Sequence, residues 1–167
     1  STQLPSDPVI TVTSDSDRDG LPDVWETEHG LDLTSDSAEN GAVGNADLDG
    51  MGNLLELALG LDPRKADAAG AFTATIETNT ADGESYLTVR HRRLLARGVL
   101  QYSLEISSDL IDWHAVTAAE SEALAPPVQN PDGLTETVAL RIKPSIAAPG
   151  VEARHVRLRV STNSGNP

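Results

Sequence analysis

The chain has no cysteine, so neither a disulfide nor a thiolate metal site can hold it together. Aromatic residues make up only 3% of it. That scarcity leaves few rings for stacking on sugars or bases. Basic residues are outnumbered as well: 12 Lys+Arg stand against 26 Asp+Glu, a net charge of -14. A nucleic-acid partner is not expected of such a chain. No apolar run approaches the roughly 20 residues of a membrane-spanning helix, so no membrane span is expected. No signal-peptide pattern opens the sequence, which reads as a mature protein or a part of a larger chain. A phosphate-cradling glycine loop, an H-E-x-x-H pair and a nucleophile elbow are all missing. His29, His91, His114 and His155 are scattered without metal-ligand spacing. The expectation is a protein that is not an enzyme.

What is there is strongly uneven. Residues 1–70 carry a net charge of -12 and residues 71–167 one of -2. Such a step divides the chain into regions with different work. Residues 1–13 are rich in Pro, Ser and Thr and read as a linker or lead-in. Residues 14–66 and 71–164 read as two units. The first holds an internal repeat at an offset of 30 residues. "DSDRDGLPDVWETEHGLD" begins at Asp15, and "NADLDGMGNLLELALGLD" begins at Asn45. Each copy is an acidic loop, then a stretch of helical character, then a glycine (Gly30, Gly60) where a helix C-terminal glycine belongs.

The loops have the spacing of a calcium site. Calcium takes about six to eight oxygen ligands, and a loop of about 12 residues supplies them from positions 1, 3, 5, 7, 9 and 12. Position 6 is glycine for a sharp turn, position 7 gives its backbone carbonyl, and position 12 is a glutamate binding with both oxygens. Loop one places Asp15, Asp17, Asp19, Leu21, Asp23 and Glu26 at those positions, with Gly20 at the turn. Loop two places Asn45, Asp47, Asp49, Met51, Asn53 and Glu56 there, with Gly50 at the turn. The expected cofactor is therefore calcium at two sites. Without a cation, each carboxylate cluster repels itself at neutral pH. Loop two, with Asn45 and Asn53, carries fewer charges and is expected to bind more weakly. Neither "DPVITVTS" nor "SAENGAVG" supports an entering helix, and Pro22 cannot donate to a bridge between paired loops. Each unit reads as loop–helix, not helix–loop–helix.

"DSDRDGLPDVWE" and "DLDGMGNLLELALGLDP" resemble the bacterial thrombospondin type 3-like and dockerin-like calcium repeats, with Asn45 as a departure. The resemblance covers about 50 residues and implies calcium binding. Dockerins bind cohesins through small hydroxyl residues at loop positions 10 and 11. Here those positions hold Val24, Trp25, Leu54 and Leu55, which imply packing instead of a cohesin contact. "QYSLEISSDLIDWHAV" resembles a strand–turn–strand in C-terminal β-modules of secreted bacterial proteins, especially from the Verrucomicrobia.

From Ala71 the apolar period becomes two. "AFTATIET", "SYLTVRHRRL", "LQYSLEIS", "DWHAVT", "ETVALRIK" and "RHVRLRVS" read as strands separated by turn-rich gaps. The expected fold is mostly β with a small α part: a two-site calcium loop–helix module plus an antiparallel β-sandwich of fibronectin type III or immunoglobulin-like kind. Alternation puts Arg90, Arg92, Arg141, Lys143, Arg157 and Arg159 outside. If their strands are neighbours, these residues form one basic face. That face is solvated, or docks on the acidic repeat, or captures an anionic polysaccharide. Tyr102 alternates with Leu104 and Ile106, and Phe72 with Ala74 and Ile76, so both aromatics read as core. Trp113 is the best candidate for an exposed stacking ring, although a core position is the simpler reading. The function these features suggest is an extracellular or bacterial cell-surface accessory module stabilised by calcium, serving as a stalk, an adhesion element or a surface attachment. The alternative is a carbohydrate-binding module appended to a polysaccharide-degrading enzyme.

Overall fold

The computed structural model describes residues 14–150 and 154–162. The expected lead-in, residues 1–13, lies outside them. The described chain is mostly β, with two antiparallel sheets and two short helices.

The repeat folds as two equivalent units. Helix α1 spans Asp23–His29 and α2 spans Asn53–Leu59. Each starts within the last third of its acidic loop, and no helix leads directly into either loop among the described residues. Each ends at a glycine in the left-handed region, Gly30 (φ 67) and Gly60 (φ 66). There the N–H of Leu31 donates to the Glu26 carbonyl at 2.9 Å, and that of Leu61 to the Glu56 carbonyl at 2.9 Å. These bonds satisfy carbonyls that a helix end leaves open. Both helices have seven residues, shorter than the helical character of the sequence suggests.

The first sheet has the order β1-β2-β7-β5, with β1 Phe72–Thr78, β2 Ser85–Leu94, β7 Thr135–Ile142 and β5 Ser121–Ala123; β6 (Val128–Gln129) also pairs with β7. The second has the order β4-β3-β8, with β4 His114–Ala115, β3 Leu100–Ser107 and β8 His155–Thr162. All pairings are antiparallel. Strand β5 lies in a stretch that the sequence does not mark as a strand, and β6 in the turn-rich gap that follows it. They are only three and two residues long, and a pattern of period two needs more than that to show.

Val89 and Ile142 of the first sheet form a buried cluster with Leu104 and Ile106 of the second. Phe72, Leu87, Leu140 and Val156 pack against it. The expected core position of Phe72 is thus met, but that of Ile76 is not: Ile76 is 65% exposed. It sits on β1, at the end of its sheet, where one flank has no neighbouring strand among the described residues.

The repeats and the sheets share two further clusters. Leu21, Leu31 and Leu57 of the repeats surround Leu94 at the end of β2, with Leu100 of β3 alongside. Leu59 and Leu61 pack with Ala71 and with Leu158 of β8. Helix α2 therefore touches one strand from each sheet. Tyr102 adds a polar tie. Its hydroxyl donates to the Ala58 carbonyl at 2.7 Å and accepts from the Leu94 N–H at 3.3 Å. Tyr102 faces inward as its alternation implies, but its hydroxyl end reaches the helix.

Candidate metal centres and the arginine faces

Sequence dictates the shape of each acidic loop through short polar side chains that hold backbone N–H groups. In loop one the Gly20 N–H donates to Asp15 at 3.0 Å and the Leu21 N–H to Asp19 at 2.8 Å. In loop two the Asp49 N–H donates to Asp47 at 3.0 Å and the Met51 N–H to Asp49 at 2.9 Å. Asp and Asn favour such bonds in turns. Two backbone positions in each loop are left-handed and match across the repeat: Arg18 (φ 66) with Leu48 (φ 66), and Gly20 (φ 99) with Gly50 (φ 95). Equal dihedrals at an offset of 30 residues make the two loops one design used twice.

The loops gather their carboxylates. Asp15, Asp17 and Asp19 bring one oxygen each within 4.8 Å of one another, and Asp47, Asp49 and Glu56 do the same. Glu26 lies outside the first of these groups, yet Asp17 and Asp19 are among the charges that act on it. Glu26 and Glu56 are both fully buried, and neither oxygen of either carboxylate has a hydrogen-bond partner. Their environment holds protons on them: burial first, then the neighbouring aspartates, push Glu26 up to about 7 and Glu56 up to about 8. Asp15, Asp17, Asp19 and Asp47 each keep one buried oxygen without a partner.

Position 9 differs between the loops. Asn53 is fully buried; its amide donates to the carbonyls of Glu39 (2.8 Å) and Gly41 (2.9 Å), and its Oδ1 has no partner. Asp23, by contrast, accepts from the Ser16 N–H at 2.7 Å, the Ser16 hydroxyl at 2.8 Å and the Ser14 hydroxyl. Those bonds hold its carboxyl below the usual range. Two serines thus already engage the oxygens of Asp23, the residue expected at position 9 of loop one. Leu21 serves the fold with its side chain, which is fully buried. Among the residues at positions 10 and 11, Trp25, Leu54 and Leu55 pack into the clusters as expected, while Val24 is exposed.

The single basic face does not form, because the strands do not neighbour as it requires. Arg90, Arg92 and Arg141 lie on β2 and β7 of one sheet, while Arg157 and Arg159 lie on β8 of the other. Lys143 follows the end of β7. The five arginines have acidic partners. Arg90 pairs with Glu77, Arg92 with Asp132, and Arg141 with Glu122 at 3.4 Å. Arg157 and Arg159 share Glu105, at 2.7 and 3.6 Å. The Arg90 bond draws the Glu77 carboxyl down to about 2. Trp113 is neither core nor open platform. It is half-buried, and the Arg157 guanidinium lies 4.2 Å from its ring centroid. Alternation told which side chains point outward; it could not tell which strands would be neighbours.

Comparison with protein-family models, with curated proteins and with solved structures gives no match.

Proposed function

We propose that each loop binds one calcium ion and that the two ions hold the repeats in the form that packs against the sheets. The observation that carries this reading is the pair Glu26 and Glu56: two fully buried carboxylates with no hydrogen bond to any oxygen. A buried charge without a partner costs several kcal/mol, on the order of the stability of a whole small domain. A hard cation offsets that cost and uses the unpartnered oxygens of the same loops. The donor set is all oxygen, which suits calcium and disfavours zinc or copper. Asp15, Asp17, Asp19 and Glu26 would hold the first ion, with the Leu21 carbonyl. Asn45, Asp47, Asp49, Asn53 and Glu56 would hold the second, with the Met51 carbonyl. The resemblance to thrombospondin type 3-like and dockerin-like repeats agrees with this assignment.

We read the sheets as an immunoglobulin- or fibronectin-type sandwich. The order β1-β2-β7-β5 corresponds to strands A-B-E-D of that architecture, and β4-β3-β8 to C′-C-F. Strand G has no counterpart among the described residues. The protein is then a non-catalytic, calcium-stabilised accessory module of a larger secreted or surface protein of bacteria. Calcium outside cells saturates sites with dissociation constants of about 10⁻⁴ to 10⁻³ M. A polysaccharide platform on the surface gains no support from Trp113, whose ring is covered by Arg157.

Thermal unfolding in calcium and in chelator tests the proposal. Calcium should raise the midpoint well beyond the shift given by equal magnesium, since magnesium prefers a smaller, more rigid octahedral shell. Equal midpoints in calcium and chelator would remove it.

A further inference from the structure

We propose that a cleft between the two sheets binds a small, uncharged, polyhydroxylated ligand of the size of one sugar ring. The cleft has a volume of about 310 Å³. Small-molecule sites start at about 300 Å³. Both sheets line it: His91 and Arg93 from β2, Tyr102, Ser103 and Leu104 from β3, and Ser121 from β5. Sheets packed face to face interdigitate without gaps of this size.

The lining is chemically specific. His91 is only 5% exposed, and its Nδ1 lies 2.8 Å from the Arg92 carbonyl. A carbonyl only accepts, so Nδ1 carries the proton. Burial lowers the pKa of the ring, which is therefore neutral at pH 7. Its Nε2 is then an acceptor, and it has no hydrogen-bond partner among the described residues. Arg93 supplies the complementary donors. Its Nε and one terminal nitrogen each lie 2.6 Å from Glu136 Oε1, which leaves the rest of the guanidinium fork open. The Glu136 charge cancels that of Arg93, so the cleft does not select an ion of either sign. Ser103 adds a hydroxyl that donates or accepts, while the Ser121 hydroxyl, which donates to the Thr117 carbonyl at 3.0 Å, can still accept. Leu104 gives an apolar wall, and the Tyr102 ring stacks on His91 with centroids 6.3 Å apart.

A neutral mixture of donors, acceptors and apolar wall complements a sugar ring, whose hydroxyls both donate and accept around a C–H surface. The acidic loops are not involved, so this proposal and the calcium reading can fail independently.

The test is amide-resolved NMR of the full chain in calcium, with glucose, galactose and mannose added in turn. Saturable shifts at His91, Arg93, Ser103 and Ser121 with at least one sugar are expected, with a dissociation constant on the order of 1 mM. His91→Phe keeps the ring and removes the acceptor; Ser121→Phe fills the cleft from a short edge strand. Each should weaken binding by about tenfold or more. Absence of cleft shifts with all three sugars overturns the proposal. So do shifts that persist at unchanged affinity in either variant, provided its spectrum is that of a folded chain.

Discussion

Single residues decide the loops. Glu26 and Glu56 stand at position 12 of their loops, where the first turn of each helix begins to bury them. Glu26→Gln removes the charge while keeping the shape. Calcium affinity of that loop should fall about tenfold or more, with the other loop retained, as calorimetry would show. The same substitution at Glu56 should abolish the weaker site. Loop one keeps the advantage because Asp15 is charged where Asn45 is neutral, but the engagement of Asp23 by Ser14 and Ser16 narrows it. A pH dependence follows from the same two glutamates. Without calcium they keep protons up to about pH 7 and about pH 8, whereas an unfolded glutamate releases its own near 4.5. The folded chain therefore binds more protons than the unfolded one across that window. Its stability is greatest below about pH 4.5 with respect to these groups and is lost as pH rises towards about 8. Saturating calcium should abolish or reverse that slope, which melting curves at several pH values would reveal. The spacing of these ligands was legible in the sequence because each position is fixed by a short loop. The bonds from Ser14 and Ser16 to Asp23 were not, because nothing in the spacing says which neighbour will claim a carboxylate.

Elements that are equivalent in the repeat are not equivalent in their surroundings. Gly30 and Gly60 end α1 and α2 with nearly the same φ, and both need the left-handed region that costs other residues about 1–2 kcal/mol. A Cβ at Gly30 meets open space, whereas one at Gly60 would stand 2.5 Å from the Thr135 side chain on β7. Gly30→Ala should cost about 1 kcal/mol in denaturant unfolding, and Gly60→Ala distinctly more. The helix ends are also held by different partners. Arg64 donates to the Gly30 carbonyl at 2.7 Å, from within the repeats, while Arg92 reaches the Gly60 carbonyl at 3.4 Å from β2. The long strands β1, β2, β3, β7 and β8 were legible from alternation to within a residue or so at each end. Strands β5 and β6 were not, since each is defined by pairing with β7 and not by its own pattern. The order of strands was hidden for the same reason, and with it the separation of Arg157 and Arg159 from Arg90 and Arg141.

At the scale of the molecule, the repeats and the sheets share a core. Leu94 is 7% exposed and sits among leucines of both repeats, and Leu158 packs beneath α2. Leu94→Ala should cost about 2–5 kcal/mol and weaken calcium binding as well, because it loosens the packing that sets the loops. Removing residues 14–66 would bare Leu94, Leu100, Leu158 and the Tyr102 hydroxyl together. The isolated sheets should then be poorly folded, with calcium unable to restore them. The step in charge between the two halves was visible in the sequence; the shared core was not, because apolar period alone does not say which faces meet. Calcium titration of the whole chain by calorimetry tests the central claim most directly. The account predicts two binding events, with Glu26→Gln and Glu56→Gln each removing a different one. A chain that takes up no calcium at millimolar concentration, or whose binding is untouched by both substitutions, would contradict it.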